Sequence, residues 1–245
     1  MKLPVSIKRQ FGPFILETQC PKEMVDGLND WVDKSESDPE LREKFCFSKN
    51  TKSIPNLLER SIGVTFYSEK YLSDIGFKEF CEKLANYYLD YCIDKTDSIE
   101  YDEAYLSIVD KDPQFSHSEE ILYADAWSNS YYAGDYTPIH EHGSDLAGII
   151  ILKLPEDLKK SRSASKDSDE NHDGKLSFIF GSKKSFADDT YTVNDEEVGD
   201  LFLFPAWLSH IVYPMKVSGE RRTFSFNMVR SDTYKNRLKN WEMKK

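Results

Sequence analysis

Three of the chain's five histidines have a spacing that could hold a metal ion. His140 and His142 flank Glu141, just after the turn-prone run Gly134-Asp135-Tyr136-Thr137-Pro138. His210 follows far downstream, past the apolar run Leu201-Phe202-Leu203-Phe204-Pro205. In a strand, residues i and i+2 point to the same side. His140 and His142 can therefore share one ion while Glu141 points away. An imidazole from a distant strand would complete a facial set, and neutral imidazole suits zinc, copper, iron and nickel. Arg221 opens what reads as the next strand. With period two, Arg221, Thr223, Ser225 and Asn227 share one face, and Arg222, Phe224 and Phe226 share the other. A polar row headed by a guanidinium is costly inside a barrel unless it meets an anion. Guanidinium matches a carboxylate in two-pronged fashion, so a dicarboxylate co-substrate held by Arg221 with help from Thr223 is the expectation. Arg222 takes that role if the strand slips by one residue.

The elements that must position these residues are strands. After about residue 100 the chain breaks into short apolar or alternating runs at Ile121–Ser128, Leu146–Leu154, Leu176–Phe180, Tyr191–Val193, Asp200–Phe204 and Thr223–Val229. Polar turns separate them, which predicts a sandwich or barrel. Before residue 100 the pattern is mainly helical. Phe14–Thr18 reads as a strand. Met24, Leu28 and Trp31 predict a helix from Pro21 to about Lys34. Residues 35–60 read as polar and irregular, with Ser35 to Pro39 as a turn. Phe77, Phe80, Leu84, Tyr87, Tyr88 and Tyr91 predict a helix from Gly76 to Ile93 with an aromatic core face. The expected layout is one domain over residues 1–245: helical support at 1–100, a β core at 101–232 and a tail at 233–245.

The polar stretch 156–174 reads as a mobile surface loop, with His172 solvated inside it; His117 is read the same way. Net charge is −11 and the isoelectric point is near 5.0, which disfavours nucleic acid and membrane surfaces as partners. No leader or apolar span is read, so a cytoplasmic location is expected. Cys20, Cys46, Cys81 and Cys92 lack paired spacing and read as free thiols of a reducing compartment.

The segment from about Trp127 to Asn227 resembles the 2-oxoglutarate/iron(II)-dependent oxygenases. It is most similar to a prolyl-hydroxylase-like branch found in phages and marine bacteria. The residues that carry the resemblance are Trp127-Ser128-Asn129, His140-Glu141-His142, Gly199-Asp200, Phe204-Pro205, Trp207, His210, Glu220-Arg221 and Phe226-Asn227. The resemblance implies a double-stranded β-helix, or jelly roll, buttressed by N-terminal helices. It further implies iron(II) on His140, His142 and His210, with Arg221, Thr223, Asn129 and Tyr131 on the 2-oxoglutarate side. The implied reaction uses O2, decarboxylates 2-oxoglutarate to succinate and hydroxylates a small-molecule or peptidyl substrate.

His142 departs from the family pattern, which places a carboxylate there. Three readings stay open: a three-histidine site, a carboxylate supplied by Glu141 or Asp145, or a barrel that binds metal poorly and serves as a structural module. A cupin-type metal protein is the competing resemblance, carried by Gly134 with His140-Glu141-His142 and by Gly199, Pro205 and His210. Substrate contacts are expected from Trp207, Tyr131, Tyr132 and the 156–174 loop. A homo-oligomer or larger assembly is left open.

Overall fold

The structure, a computed structural model, describes residues 5–8, 13–47, 63–96, 121–163, 171–181 and 189–231. Among the described residues, twelve strands form two antiparallel sheets packed as a jelly roll. The larger sheet has the order β1 (Val5–Lys8), β2 (Ile15–Gln19), β10 (Asp200–Pro205), β7 (Leu146–Lys153), β12 (Arg221–Arg230), β5 (Ile121–Tyr131), β4 (Gly63–Phe66) and β3 (Cys46–Phe47). The smaller sheet has the order β6 (Thr137–His140), β11 (Ser209–Val212), β8 (Leu176–Phe180) and β9 (Asp189–Thr192).

The alternation of side chains sorts the apolar residues into two cores. On β10, Leu201 and Leu203 face the helices while Phe202 and Phe204 face the small sheet. On β7, Ile150 and Leu152 take the helix side, and Ile149 and Ile151 take the inter-sheet side. β7 is therefore a continuous buried apolar run, as expected for a strand covered on both faces. Its Gly148 pairs with Phe226 of β12, and a Cβ there would lie 2.0 Å from the Phe226 ring. Only glycine admits that ring.

Helix α1 (Lys22–Ser37) buries Val25, Leu28, Trp31 and Val32 against the large sheet. The described part of the 35–60 region, residues 35–47, is more ordered than its polarity predicts. Asp38 closes α1, and its carboxylate accepts from the backbone N–H of Glu40 and Leu41 at 2.9 and 3.2 Å. This caps a second helix, α2 (Pro39–Phe45), with Pro39 in its first turn, where the missing proline N–H costs nothing. Residues 48–62 lie outside the described residues. After α3 (Glu69–Asp74), Gly76 at φ 74° leads into α4 (Phe77–Thr96). Phe77, Leu84 and Tyr88 of α4 are buried as predicted, but Tyr87 is 51% exposed. It falls just off the core-facing stripe.

The 156–174 segment is not simply a surface loop. It contains helix α5 (Leu158–Ser163), which buries Leu158 and Arg162, and residues 171–174 form a buried turn. His172 is half-buried rather than freely solvated: its ring stacks on Tyr213 at 4.5 Å. His117 and the 101–120 stretch lie outside the described residues. All four cysteines are free, three of them buried. Among the described residues no helix is long and apolar enough to cross a membrane.

Candidate metal and co-substrate site

Strand β11 crosses β6 so that His210 pairs directly with His140. His142 sits two residues past the end of β6, where its backbone N–H donates to Ala206 O at 2.9 Å. The nitrogens the three imidazoles offer lie within 4.8 Å of one another. Each ring is oriented by its own Nδ1. His140 Nδ1 contacts Pro138 O at 2.8 Å, His210 Nδ1 contacts Leu208 O at 3.0 Å, and His142 Nδ1 contacts Asn227 Oδ1 at 2.9 Å. A carbonyl oxygen only accepts, so Nδ1 carries the hydrogen and the Nε2 lone pair is left free. His142 Nε2 and His210 Nε2 are 3.3 Å apart. Two lone pairs facing each other at that distance repel unless a cation lies between them. Two nitrogens each about 2.0–2.1 Å from one ion would be about 2.8–3.4 Å apart at right to tetrahedral angles.

Burial disfavours the imidazolium form of all three rings. It lowers the pKa of His140; with His140 nearby it takes His142 down to about 4; and it takes His210 well below its usual value. Neutral rings are the ligating form. Neither proposed carboxylate joins them. Glu141 turns away as the alternation predicts and accepts from Ser209 Oγ at 2.7 Å. Asp145 accepts from Arg230 N at 2.8 Å. The cluster found among the described residues is histidine alone.

The histidines open onto a cavity of about 460 Å³, a size typical of small-molecule sites. Asp125, Trp127, Asn129 and Tyr131 of β5 line it, as do Thr223, Ser225 and Asn227 of β12. Trp127 stacks on His142 with centroids 5.7 Å apart. The register of β12 is the expected one. Arg222 faces the helices, pairing with Glu220 at 2.7 Å and with Asp33 of α1 at 2.8 Å, and so is a strut rather than an anion ligand. Trp207, Tyr132 and the 156–174 segment are not among the described residues that line the cavity. Trp207 packs against Phe180, and Tyr132 lies 48% exposed. A separate groove of about 430 Å³, lined by Glu17, Gln19, Tyr191, Asp195 and Asp200 among others, holds none of the residues singled out for chemistry.

Arg221 is 1% exposed, and its guanidinium lies 5.8 Å over the Tyr131 ring. The Tyr131 hydroxyl is hydrogen-bonded to Thr137 Oγ1 at 2.8 Å. The residue missed by sequence reasoning is Glu196. It is fully buried and accepts from Arg221 Nη2 at 2.8 Å and from Arg162 Nη2 at 2.9 Å. Burial pushes its carboxyl up, but Arg221 and Arg162 outweigh this and hold it below the usual carboxylate range. Arg221 Nε and Nη1 are buried without partners. A buried guanidinium with two unmet donors fits an incoming carboxylate.

Residues 125–227, under half of the chain, match the profile of a family described as "Putative 2OG-Fe(II) oxygenase". That segment is similar to 2-oxoglutarate/iron(II) oxygenases. The matched stretch contains every histidine of the cluster and Arg221. Among curated proteins nothing matches. Among solved structures, AviO1 from Streptomyces viridochromogenes Tue57 superposes with a TM-score of 0.52 at 11% identity, covering 88% of this chain and 89% of that one. A prolyl-4-hydroxylase from Pseudomonas putida gives 0.46 at 14% identity, covering 87% and 91%. A prolyl hydroxylase from Trichoplax adhaerens, in complex with a hypoxia inducible factor peptide fragment, gives 0.47 at 11% identity, covering 88% and 83%. The AviO1 likeness extends the jelly-roll fold beyond the matched segment.

Proposed function

We propose that this chain is an iron(II)- and 2-oxoglutarate-dependent oxygenase that hydroxylates a small-molecule or peptidyl substrate while 2-oxoglutarate is decarboxylated to succinate. The observation that carries this reading is the convergence of three oriented, uncharged imidazoles. His140, His142 and His210 would hold the metal through Nε2. Arg221 would take the distal carboxylate of 2-oxoglutarate, with Thr223, Asn129 and Tyr131 beside it. Bound iron and 2-oxoglutarate would supply the oxidising power. The protein's part is position and electrostatics. Asn227 fixes the His142 ring, Trp127 covers it, and the aromatic cavity wall limits water near the metal face. Three neutral ligands leave the metal complex one charge more positive than two histidines and a carboxylate would. The segment functions in a single domain, with the helices between residues 22 and 96 supporting the large sheet. Four cysteines without a disulfide support a cytoplasmic setting.

Anaerobic titration of the apo-protein with iron(II) and then 2-oxoglutarate tests this reading. The expected result is a visible charge-transfer band from the iron–2-oxo acid chelate, absent in Arg221→Ala. Iron binding without the band would favour the cupin-type reading, and no iron binding would leave a scaffold.

A further inference from the structure

Arg162, Glu196 and Arg221 form a buried ionic row that the proposed chemistry does not by itself require. Glu196 precedes β10 and is 0% exposed. Its Oε1 accepts from Arg221 Nη2 at 2.8 Å and from Leu176 N at 3.0 Å, and its Oε2 accepts from Arg162 Nη2 at 2.9 Å. Arg162 Nε donates to Asp173 O at 2.8 Å. Asn171 ties the same turn back to α5 through Arg162 O at 3.0 Å. Buried ion pairs seldom add net stability, because desolvation offsets their attraction. Stability is therefore a poor reason for this row.

Charge offers a better one. Arg221 facing Glu196 alone would be a neutral pair, and an incoming carboxylate would meet a cation already spent. Arg162 takes the second oxygen of Glu196. One carboxylate between two guanidiniums leaves one positive charge in excess. Nε and Nη1 of Arg221 are the buried donors left open, so the excess charge has somewhere to act. Arg162 lies on α5, within the segment whose polarity suggested a mobile loop.

We propose that Glu196 and Arg162 are positioning residues for the co-substrate. Glu196 holds Arg221 by Nη2 so that Nε and Nη1 stay presented. Arg162 keeps the row cationic, so that a dicarboxylate 2-oxo acid is selected over a monocarboxylate one. This rests on the 2-oxoglutarate reading above.

The test is calorimetric titration of the anaerobic iron(II)-loaded protein with 2-oxoglutarate and, separately, with 2-oxobutyrate, which lacks the distal carboxylate. Arg162→Met is expected to weaken 2-oxoglutarate at least tenfold while leaving 2-oxobutyrate and iron affinity unchanged. Arg162→Lys should recover part of the loss. Glu196→Gln keeps an oxygen for Arg221 and removes a negative charge, so it should bind 2-oxoglutarate at least as tightly as wild type. Wild-type 2-oxoglutarate affinity in Arg162→Met, an equal loss for both acids, or a tenfold loss in Glu196→Gln would each overturn the assignment. A wild-type protein that binds neither acid would instead overturn the underlying 2-oxoglutarate reading.

Discussion

The proposed metal end and the proposed Arg221 anchor end of the site are built on opposite principles. The metal end is uncharged and mostly self-oriented. His140 and His210 each use the carbonyl two residues back in the chain, Pro138 O and Leu208 O. Only His142 reaches far, to Asn227 on β12. The anchor end is charged and depends on distance in sequence. Arg221 is held by Glu196, which is held in turn by Arg162. A metal needs neutral lone pairs, and local backbone geometry can aim them. A carboxylate needs a desolvated cation, which only a network can keep charged and in place. The two ends should therefore fail independently.

Removing a proposed metal ligand is the largest expected effect. His210 is 1% exposed and pairs with His140 across the small sheet. His210→Ala should abolish iron(II) binding in an anaerobic titration. Retention of near-wild-type affinity would mean that the three imidazoles are not the ligand set. Arg221→Ala should come next. Truncating one partner of a buried charge pair costs about 2–5 kcal/mol, so 2-oxoglutarate affinity should fall by at least about thirtyfold. Iron affinity, measured without 2-oxoglutarate, should stay unchanged. Loss of both together would show that the two ends are one unit.

This contrast also accounts for what could be read from the sequence. The period-two alternation of β12 assigns Arg221, Thr223, Ser225 and Asn227 to one face, and the structure keeps that register, with Arg222 turned to Asp33. The histidine pair sits beside turn signals, so its direction follows from local chemistry. Glu196 carries no such signal. It lies in the acidic run Asp195-Glu196-Glu197, and its neighbour Glu197 pairs with Lys159 on the exposed surface. One residue is buried and the next is solvated, and nothing in their types separates them. The 156–174 segment hid its role for the same reason. Arg162 is one of several basic residues there, and the burial that makes it matter comes from packing against distant strands. β6 and β11 stand outside the apolar runs because each is four residues long and never buried at two successive positions.

Asn227 is the one distant link at the metal end, so it tests whether self-orientation suffices. Its Oδ1 accepts from His142 Nδ1 and from Ser144 Oγ, at 2.9 and 3.1 Å. Partners that orient a ligating histidine are typically worth about 10–100-fold in metal affinity. Asn227→Ala should weaken iron(II) binding by about that factor without changing 2-oxoglutarate affinity at saturating metal. An unchanged iron affinity would mean that packing on Trp127 alone aims the His142 ring.

Acid should separate the two ends most gently. The apo-protein buries its three imidazoles with pKa values below the ordinary 6.5, His142 at about 4. Between about 4 and 6.5 the unfolded chain therefore binds more protons than the folded one, and stability must fall as pH falls through that window. Each proton taken up only on unfolding costs about 1.4 kcal/mol per pH unit, which for a chain of this size is about 2–4 °C of Tm per kcal/mol. Glu196 is shifted in the same direction, below the usual carboxylate range, so its contribution persists through that window and is lost only at lower pH. A series of apo-protein melts from pH 7 to pH 4.5 should show a steady decline in Tm that flattens in His142→Gln and is unaltered in slope by Arg162→Met. An equal slope in wild type and His142→Gln would place the titrating groups away from the metal end.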